Sequence, residues 1–183
     1  MVCSLYFAFY RRRRLLSAAV LLTMFFCGAT VNPLVHGIGS ITNHPISETI
    51  SEIAAEEPDS RWLCTETNFL VSNFLLAHGA KILDCSLFYP DQEKWAILDP
   101  DGKYKEVTNR YASERAELTE GETSFDLIST LYIKLNLNPV SIKALGIRYL
   151  ITTVDPTHML AKYDITCTYV NGQDDYGIYR LKY

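Results

Sequence analysis

The sequence predicts the α/β class: one N-terminal transmembrane helix, then a compact extracytoplasmic domain built on a mixed, partly parallel sheet. Three observations predict it. Four arginines, Arg11 to Arg14, precede an uncharged run from Leu15 to Val31. A strand–helix–strand pattern over residues 62–85 leaves too little chain for anything but a tight parallel unit. The closing stretch from Ile165 to Leu181 reads as an antiparallel hairpin at the margin of that sheet. The boundaries follow: 1–14 a cytoplasmic end carrying the arginines, 15–31 the membrane helix, 32–44 a connector, and 45–183 the α/β domain.

The membrane segment rests on solvation. Leu15 to Val31 carries Ser17, Thr23, Cys27 and Thr30 as its least apolar side chains, and no charge. Seventeen helical residues span ~26 Å, slightly short of a hydrocarbon core of ~30 Å. Ser and Thr return their hydroxyls to the helix backbone, so they do not disqualify it. Four guanidinium groups stay on the cytoplasmic side of the cell (inner) membrane, which sends the C-terminal part outward. The competing reading is a cleaved signal peptide ending near Cys27-Gly28-Ala29. Residues 2–10, themselves apolar and aromatic, fit the tail of a preceding membrane span better than the start of a signal.

In the domain, Pro45 or Ser47 opens a helix to about Glu57, with Ile46, Ile50, Ile53 and Ala54 inward and Glu48, Glu52 and Glu56 outward. Trp62 to Thr65 is a short buried strand. Thr67 or Asn68 caps a helix from Phe69 to His78, and Gly79 ends it. Lys81 to Cys85 is the next strand. The middle, Ser86 to Arg115, is irregular, with a short helix opened by Tyr89-Pro90-Asp91 and a turn at Asp99-Pro100-Asp101-Gly102. Strands are expected at 114–118, 124–128 and 132–135. Asn138-Pro139 caps a helix that Gly146 stops, and Arg148 to Val154 is a central strand. The hairpin turns at Asn171-Gly172 between strands 165–170 and 177–181.

Composition narrows the function. Beyond Val31 the chain holds 13 basic and 21 acidic residues, a net charge of −8, which repels nucleic acid. Cys64, Cys85 and Cys167 are spaced too widely for a zinc pattern; Cys64 and Cys85 pair if their strands are neighbours, and otherwise are small buried thiols. His36, His44, His78 and His158 are scattered, so no metal site, catalytic constellation or cofactor is expected. Asp84, Asp99 and Arg110 are the polar residues a lone hydrolase or transferase would be tested on. The candidate ligand surface is Trp95, Asp99, Asn109, Arg110 and Tyr111, aromatics and a guanidinium on irregular backbone suited to a sugar or lipid headgroup. The bland counterpart is that Trp95 and Tyr111 pack a loop onto the sheet while Asp99 serves a turn.

Several segments together resemble one known arrangement. They are Asn32-Pro33-Leu34, the Trp62 strand, Ala77-His78-Gly79-Ala80, Tyr89-Pro90 with Trp95 and Leu98-Asp99-Pro100, Asn109-Arg110-Tyr111, Leu145 to Leu150, and Ile178-Tyr179-Arg180. The pattern is similar to the extracytoplasmic C-terminal domain of bacterial multi-span membrane proteins related to GT-C glycosyltransferases. The resemblance implies a lipid-linked sugar donor for the parent family, with its catalytic carboxylate in an early outer loop between spans that this chain does not contain. It therefore implies a membrane-anchored, non-catalytic accessory domain, as a fragment or shortened form. Its expected partners are the lipid bilayer, other membrane-spanning segments and a glycan or lipid-linked sugar. The alternative expectation is an exported saccharide- or peptide-binding protein released by signal cleavage.

Overall fold

The computed structural model describes residues 14–30, 39–65, 69–87, 89–173 and 175–183. The chain divides into two units, residues 1–40 and 41–183. In the first, α1 (Arg14–Thr30) is a 17-residue helix on which Leu21, Leu22, Met24, Phe25 and Phe26 are exposed. Thr23 donates its hydroxyl to the Ala19 carbonyl at 2.9 Å, which hides its one polar group. Among the described residues no helix is long and apolar enough to cross a membrane. The arginines before Arg14, residue 31 and the connector residues 32–38, His36 included, lie outside the described residues.

Helix α2 (Gly39–Thr42) is a single turn. Helix α3 (Ser47–Glu56) follows the expected stripe: Ile50 is fully buried and Glu48, Glu52 and Glu56 are exposed. It leads into β1 (Arg61–Thr65), then α4 (Phe69–Ala77), whose expected cap at Thr67 or Asn68 lies outside the described residues. Gly79, at φ +86°, releases the chain from α4 in a left-handed conformation. Strand β2 (Lys81–Ile82) then runs parallel to β1, with Arg61 opposite Lys81 and Trp62 opposite Ile82. The expected strand 81–85 therefore stops after two residues. Chain direction changes at Leu83–Cys85 and resumes as β3 (Ser86–Leu87), antiparallel to β4 (Ala112–Leu118).

Asp91 caps α5 (Gln92–Leu98) by accepting the Lys94 N–H at 3.1 Å. The stretch expected to be irregular also holds α6 (Lys105–Thr108), a four-residue turn too short to show periodicity in sequence. Strands β5 (Ser124–Ser129) and β6 (Tyr132–Leu137) form a hairpin. Asn138 caps α7 (Pro139–Ala144) through Ser141 N–H at 3.0 Å. Strand β7 (Ile147–Thr152), the short α8 (Thr157–Ala161), β8 (Thr166–Gln173) and β9 (Tyr176–Lys182) complete the chain.

The sheet order is β5-β6-β4-β1-β7-β9-β8, with β2 beside β1 and β3 beside β4. The middle, β6-β4-β1-β7, is parallel, and both margins are antiparallel. Alternation along β1 sends Trp62 and Cys64 into one core and Leu63 into the other. The first core packs Ile46, Ile50 and Leu75 from the α3–α4 side, with Trp62 stacked on Tyr149 at 4.6 Å. The second packs Trp95, Ile142 and Leu160 from α5, α7 and α8. Helix α3 is tied down at both ends. Asn171 donates to the Thr49 hydroxyl at 2.6 Å, and Glu57, just past the helix, accepts from Tyr149 at 3.0 Å and pairs with Arg180 at 2.5 Å.

The closing hairpin corrects one expectation. Its turn lies between Gln173 and Tyr176, and Asn171 and Gly172 belong to β8, opposite Ile178 and Gly177. Asn171 bonds Thr49 and the Gly172 N–H, so its amide serves packing rather than a turn. Gly172 is required by crowding: a Cβ there would sit 2.5 Å from the Tyr169 hydroxyl and 2.6 Å from the Tyr176 carbonyl oxygen. Gly172→Ala is expected to cost ~1–3 kcal/mol, read as a lowered urea midpoint with unchanged slope.

Candidate functional site

Two places in the second unit concentrate polar chemistry. The first is the fork where β2 leaves β1. Strand β1 pairs with β2 at Arg61 and Trp62 and with β4 only at Thr65, so its middle lacks a continuous neighbour on that side. The bend 83–85 fills the gap. Leu83 N–H donates to the Trp62 carbonyl at 3.0 Å, and Cys64 N–H donates to Asp84 Oδ1 at 2.8 Å. The Ser72 hydroxyl from α4 lies 3.5 Å from Asp84 Oδ2. Lys94 reaches in from α5, donating to the Leu83 carbonyl at 3.2 Å and pairing with Glu114 of β4. Asp84, Lys94 and Glu114 are only 2, 2 and 5% exposed.

Burial dominates the ionisation here. It pushes the Asp84 carboxyl well above the usual carboxylate range, against the pull of the Cys64 N–H and the Lys94 charge. Burial also raises Glu114, which Lys94 draws back down. Cys85, next to Asp84, is pushed up to about 11 by burial, which makes it a poor nucleophile. Cys64 and Cys85 are both buried. The three ionisable groups bond to backbone and to one another in a closed interior, so they act as a strand junction.

The second place is a cavity of about 240 Å³ between α5 and α6, lined by Pro90, Gln92, Trp95, Ala96, Asp99, Gly102, Lys105, Thr108 and Asn109. It brings together Trp95, Asp99 and Asn109 of the expected ligand surface. Arg110 and Tyr111 are not among its lining residues; Arg110 donates to the Glu106 carbonyl, and Tyr111 is exposed. Trp95 is 6% exposed and meets Phe125 edge-on at 5.0 Å, so it supplies wall rather than an open stacking face. Its indole N–H is buried without an acceptor. Asp99 Oδ1 and Oδ2 accept the Lys103 and Tyr104 N–H groups at 2.9 and 2.8 Å, which fastens the turn. Gln92, Lys105, Thr108 and Asn109 remain to contact a small polar molecule.

Among the described residues, His44 and His78 each pack on the Phe74 ring, His78 Nδ1–H donates to the Phe74 carbonyl oxygen at 2.8 Å, and His158 lies in α8. Among the described residues no three His, Cys, Asp or Glu side chains are grouped to hold a metal ion. Sequence reasoning singled out Asp84 but missed Lys94 and Glu114. Their signal was Ala112-x-Glu114-x-Ala116, where two small inward residues leave room for a long one.

Removing one partner of the buried pair strands the other, so Lys94→Met is expected to cost ~3–5 kcal/mol. Adding Glu114→Leu to Lys94→Met should recover part of that loss in the same denaturant titration. Asp84 holds its proton more tightly folded than unfolded, so its contribution to stability is greatest below the unfolded carboxylate range. That contribution falls as pH rises through its raised folded value. Asp84→Asn keeps the Cys64 acceptor without the charge. Its urea midpoint is expected to match or exceed the wild type at pH ~8, with the difference shrinking toward pH ~4.

Comparison with curated proteins finds no match. Comparison with solved structures finds none either. A family model described as a domain of unknown function, DUF7654, matches residues 40–183. That span takes in α3 to α8 and the whole sheet, with the fork and the cavity inside it, and the chain accordingly belongs to the DUF7654 family.

Proposed function

We propose that the chain is a membrane-anchored, non-catalytic extracytoplasmic domain, serving as the accessory C-terminal domain of a GT-C-like membrane glycosyltransferase. The observation that carries the anchor is the junction at Arg14: four consecutive arginines lead into a helix with no further charge, on which Leu21, Leu22, Met24, Phe25 and Phe26 are exposed. Such a helix gains nothing from water, and lipid is the solvent that suits it. A net charge of −8 beyond Val31 supports a role away from nucleic acid. The glycosyltransferase relation is supported by the dispersed sequence pattern from Asn32 to Arg180.

The accessory role is supported by how the polar side chains are spent. Asp99 fastens a turn, and Asp84 and Glu114 hold the strand junction, so none presents a free carboxylate for acid–base work. The cavity beside Trp95, Asp99 and Asn109 is then the contact for a glycan or the head of a lipid-linked sugar. A reporter fusion at Tyr183 tests the topology. Alkaline phosphatase joined there should be active and remain with the membrane after carbonate extraction, whereas a fluorescent protein that matures only in the cytosol should stay dark. The reverse pattern would sink the proposal. Release of an active fusion cut near Ala29 would replace the anchor with an exported binding protein.

A further inference from the structure

Beyond Val31 the longest stretch without Asp, Glu, Lys or Arg runs from Thr67 to Ala80. It contains α4, whose 9 residues carry no charge although the domain around it is acidic. One face of α4 turns inward: Ser72 and Leu75 are buried, and Leu75 joins the first core. The other face presents Leu70, Asn73, Leu76 and Ala77, with Leu70 63% and Leu76 46% exposed. Beside it lies a groove of about 280 Å³, lined by His44, Ile46, Leu70, Val71, Phe74 and Tyr176. The exposed face and the groove share Leu70, so together they make one apolar surface. Such a surface marks a docking site.

We propose that the outer face of a lipid bilayer covers this surface, with α4 lying in the interface and the groove taking acyl chain. The inference rests on the reading of α1 as a membrane anchor. Chain length selects lipid over a protein partner. Only residues 31–38 separate α1 from α2, and they reach at most ~29 Å, about the thickness of one hydrocarbon core. His44 and Ile46, close behind α2, wall the groove itself, so the tether ends at the docking surface. The anchor holds bilayer within that reach, at an effective concentration that a diffusing protein does not match. The chemistry fits the same occupant. Leu70 and Leu76 suit acyl chains, while His44 and Tyr176, both half-buried, carry amphipathic rings suited to headgroup level. Exposed Glu48 and Asp175, close in sequence to Ile46 and Tyr176, favour neutral headgroups over anionic ones.

The test places the full chain in phosphatidylcholine nanodiscs that hold a trace of phosphatidylcholine with a diazirine near the top of one acyl chain. Irradiation and peptide mapping should find label on α1 and on residues 69–77. Leu70→Glu combined with Leu76→Glu should lower the label on 69–77 at least ~10-fold and leave that on α1 unchanged. Both side chains are exposed, so the core stays intact. Far-UV circular dichroism checks folding, and Leu70→Asn with Leu76→Asn serves if the glutamates prevent it. Exposed Ile128 and Leu131, on the β5–β6 hairpin, give the background for apolar side chains that stay in water. Label confined to α1 overturns the docking, leaves the anchor standing and assigns the surface to a protein. Label on 69–77 no higher than on 128–131 also overturns it. A chain that carries no label and leaves the membrane on carbonate extraction removes the anchor, and the docking with it.

Discussion

A strand in the middle of a sheet needs a partner for every backbone polar group on both sides, because a buried N–H or carbonyl without one costs ~1–3 kcal/mol. The fold depends on how β1 meets that requirement. Its neighbour changes from β2 to β4 within five residues, and the change leaves an opening at Cys64. A carboxylate oxygen of Asp84 takes the place of a strand carbonyl there. The bend that delivers Asp84 frees the Leu83 carbonyl, and the Lys94 ammonium takes it up. Burying that ammonium requires an opposing charge, which Glu114 supplies from β4. Each polar residue is thus called for by the one before it.

The parallel centre and antiparallel margins follow from the same arrangement. Strands β1 and β7 are covered on both faces, so they read as near-continuous apolar runs such as Tyr149 to Ile151, which feed alternately into the two cores, whereas β4 alternates buried and half-buried residues. The margins lie farther from the covering helices and carry more polar side chains. Short connections there favour hairpins, and β5–β6 and β8–β9 are hairpins. The cavity beside α5 arises in the segment that leads from β3 back to its neighbour β4. Asp99 closes the turn between α5 and α6, and Tyr104 packs edge-on against Phe125 at 5.0 Å.

Much of this order is legible in the residues. The Ile46–Ile50 stripe of α3, the Asn138 cap, Gly79 and Gly146 and the strand after Gly146 are local signals, and local chemistry decides those elements. Lys81 to Cys85 misleads because its β propensity is real, while its end is set by Cys64, twenty residues earlier in the chain. Asn171-Gly172 misleads in the opposite way. The pair suits a tight turn, but Thr49 engages the asparagine and Tyr169 crowds the glycine. Within the expected ligand surface, the proximity of Trp95, Asp99 and Asn109 follows from a short helix and a turn, both visible in sequence. Lys94 and Glu114 are hidden because a lysine beside an exposed glutamate and a glutamate on a charged strand both look solvated until their tertiary neighbours are known.

The fastening of α3 has a mechanical consequence. Its two ends are bonded to different strands, Thr49 to β8 and Glu57 to β7 and β9, and it is the first long element of the folded unit. Tension applied through the chain ahead of residue 41 reaches this helix before any strand. His44 on Phe74 and Ile46 in the first core meet the pull first, Asn171 takes it next, and Tyr149 and Arg180 share it at the far end. The hydrogen-bonded rungs of β7 and β9 are then loaded together instead of being peeled one after another, so the domain resists being unravelled from its leading end.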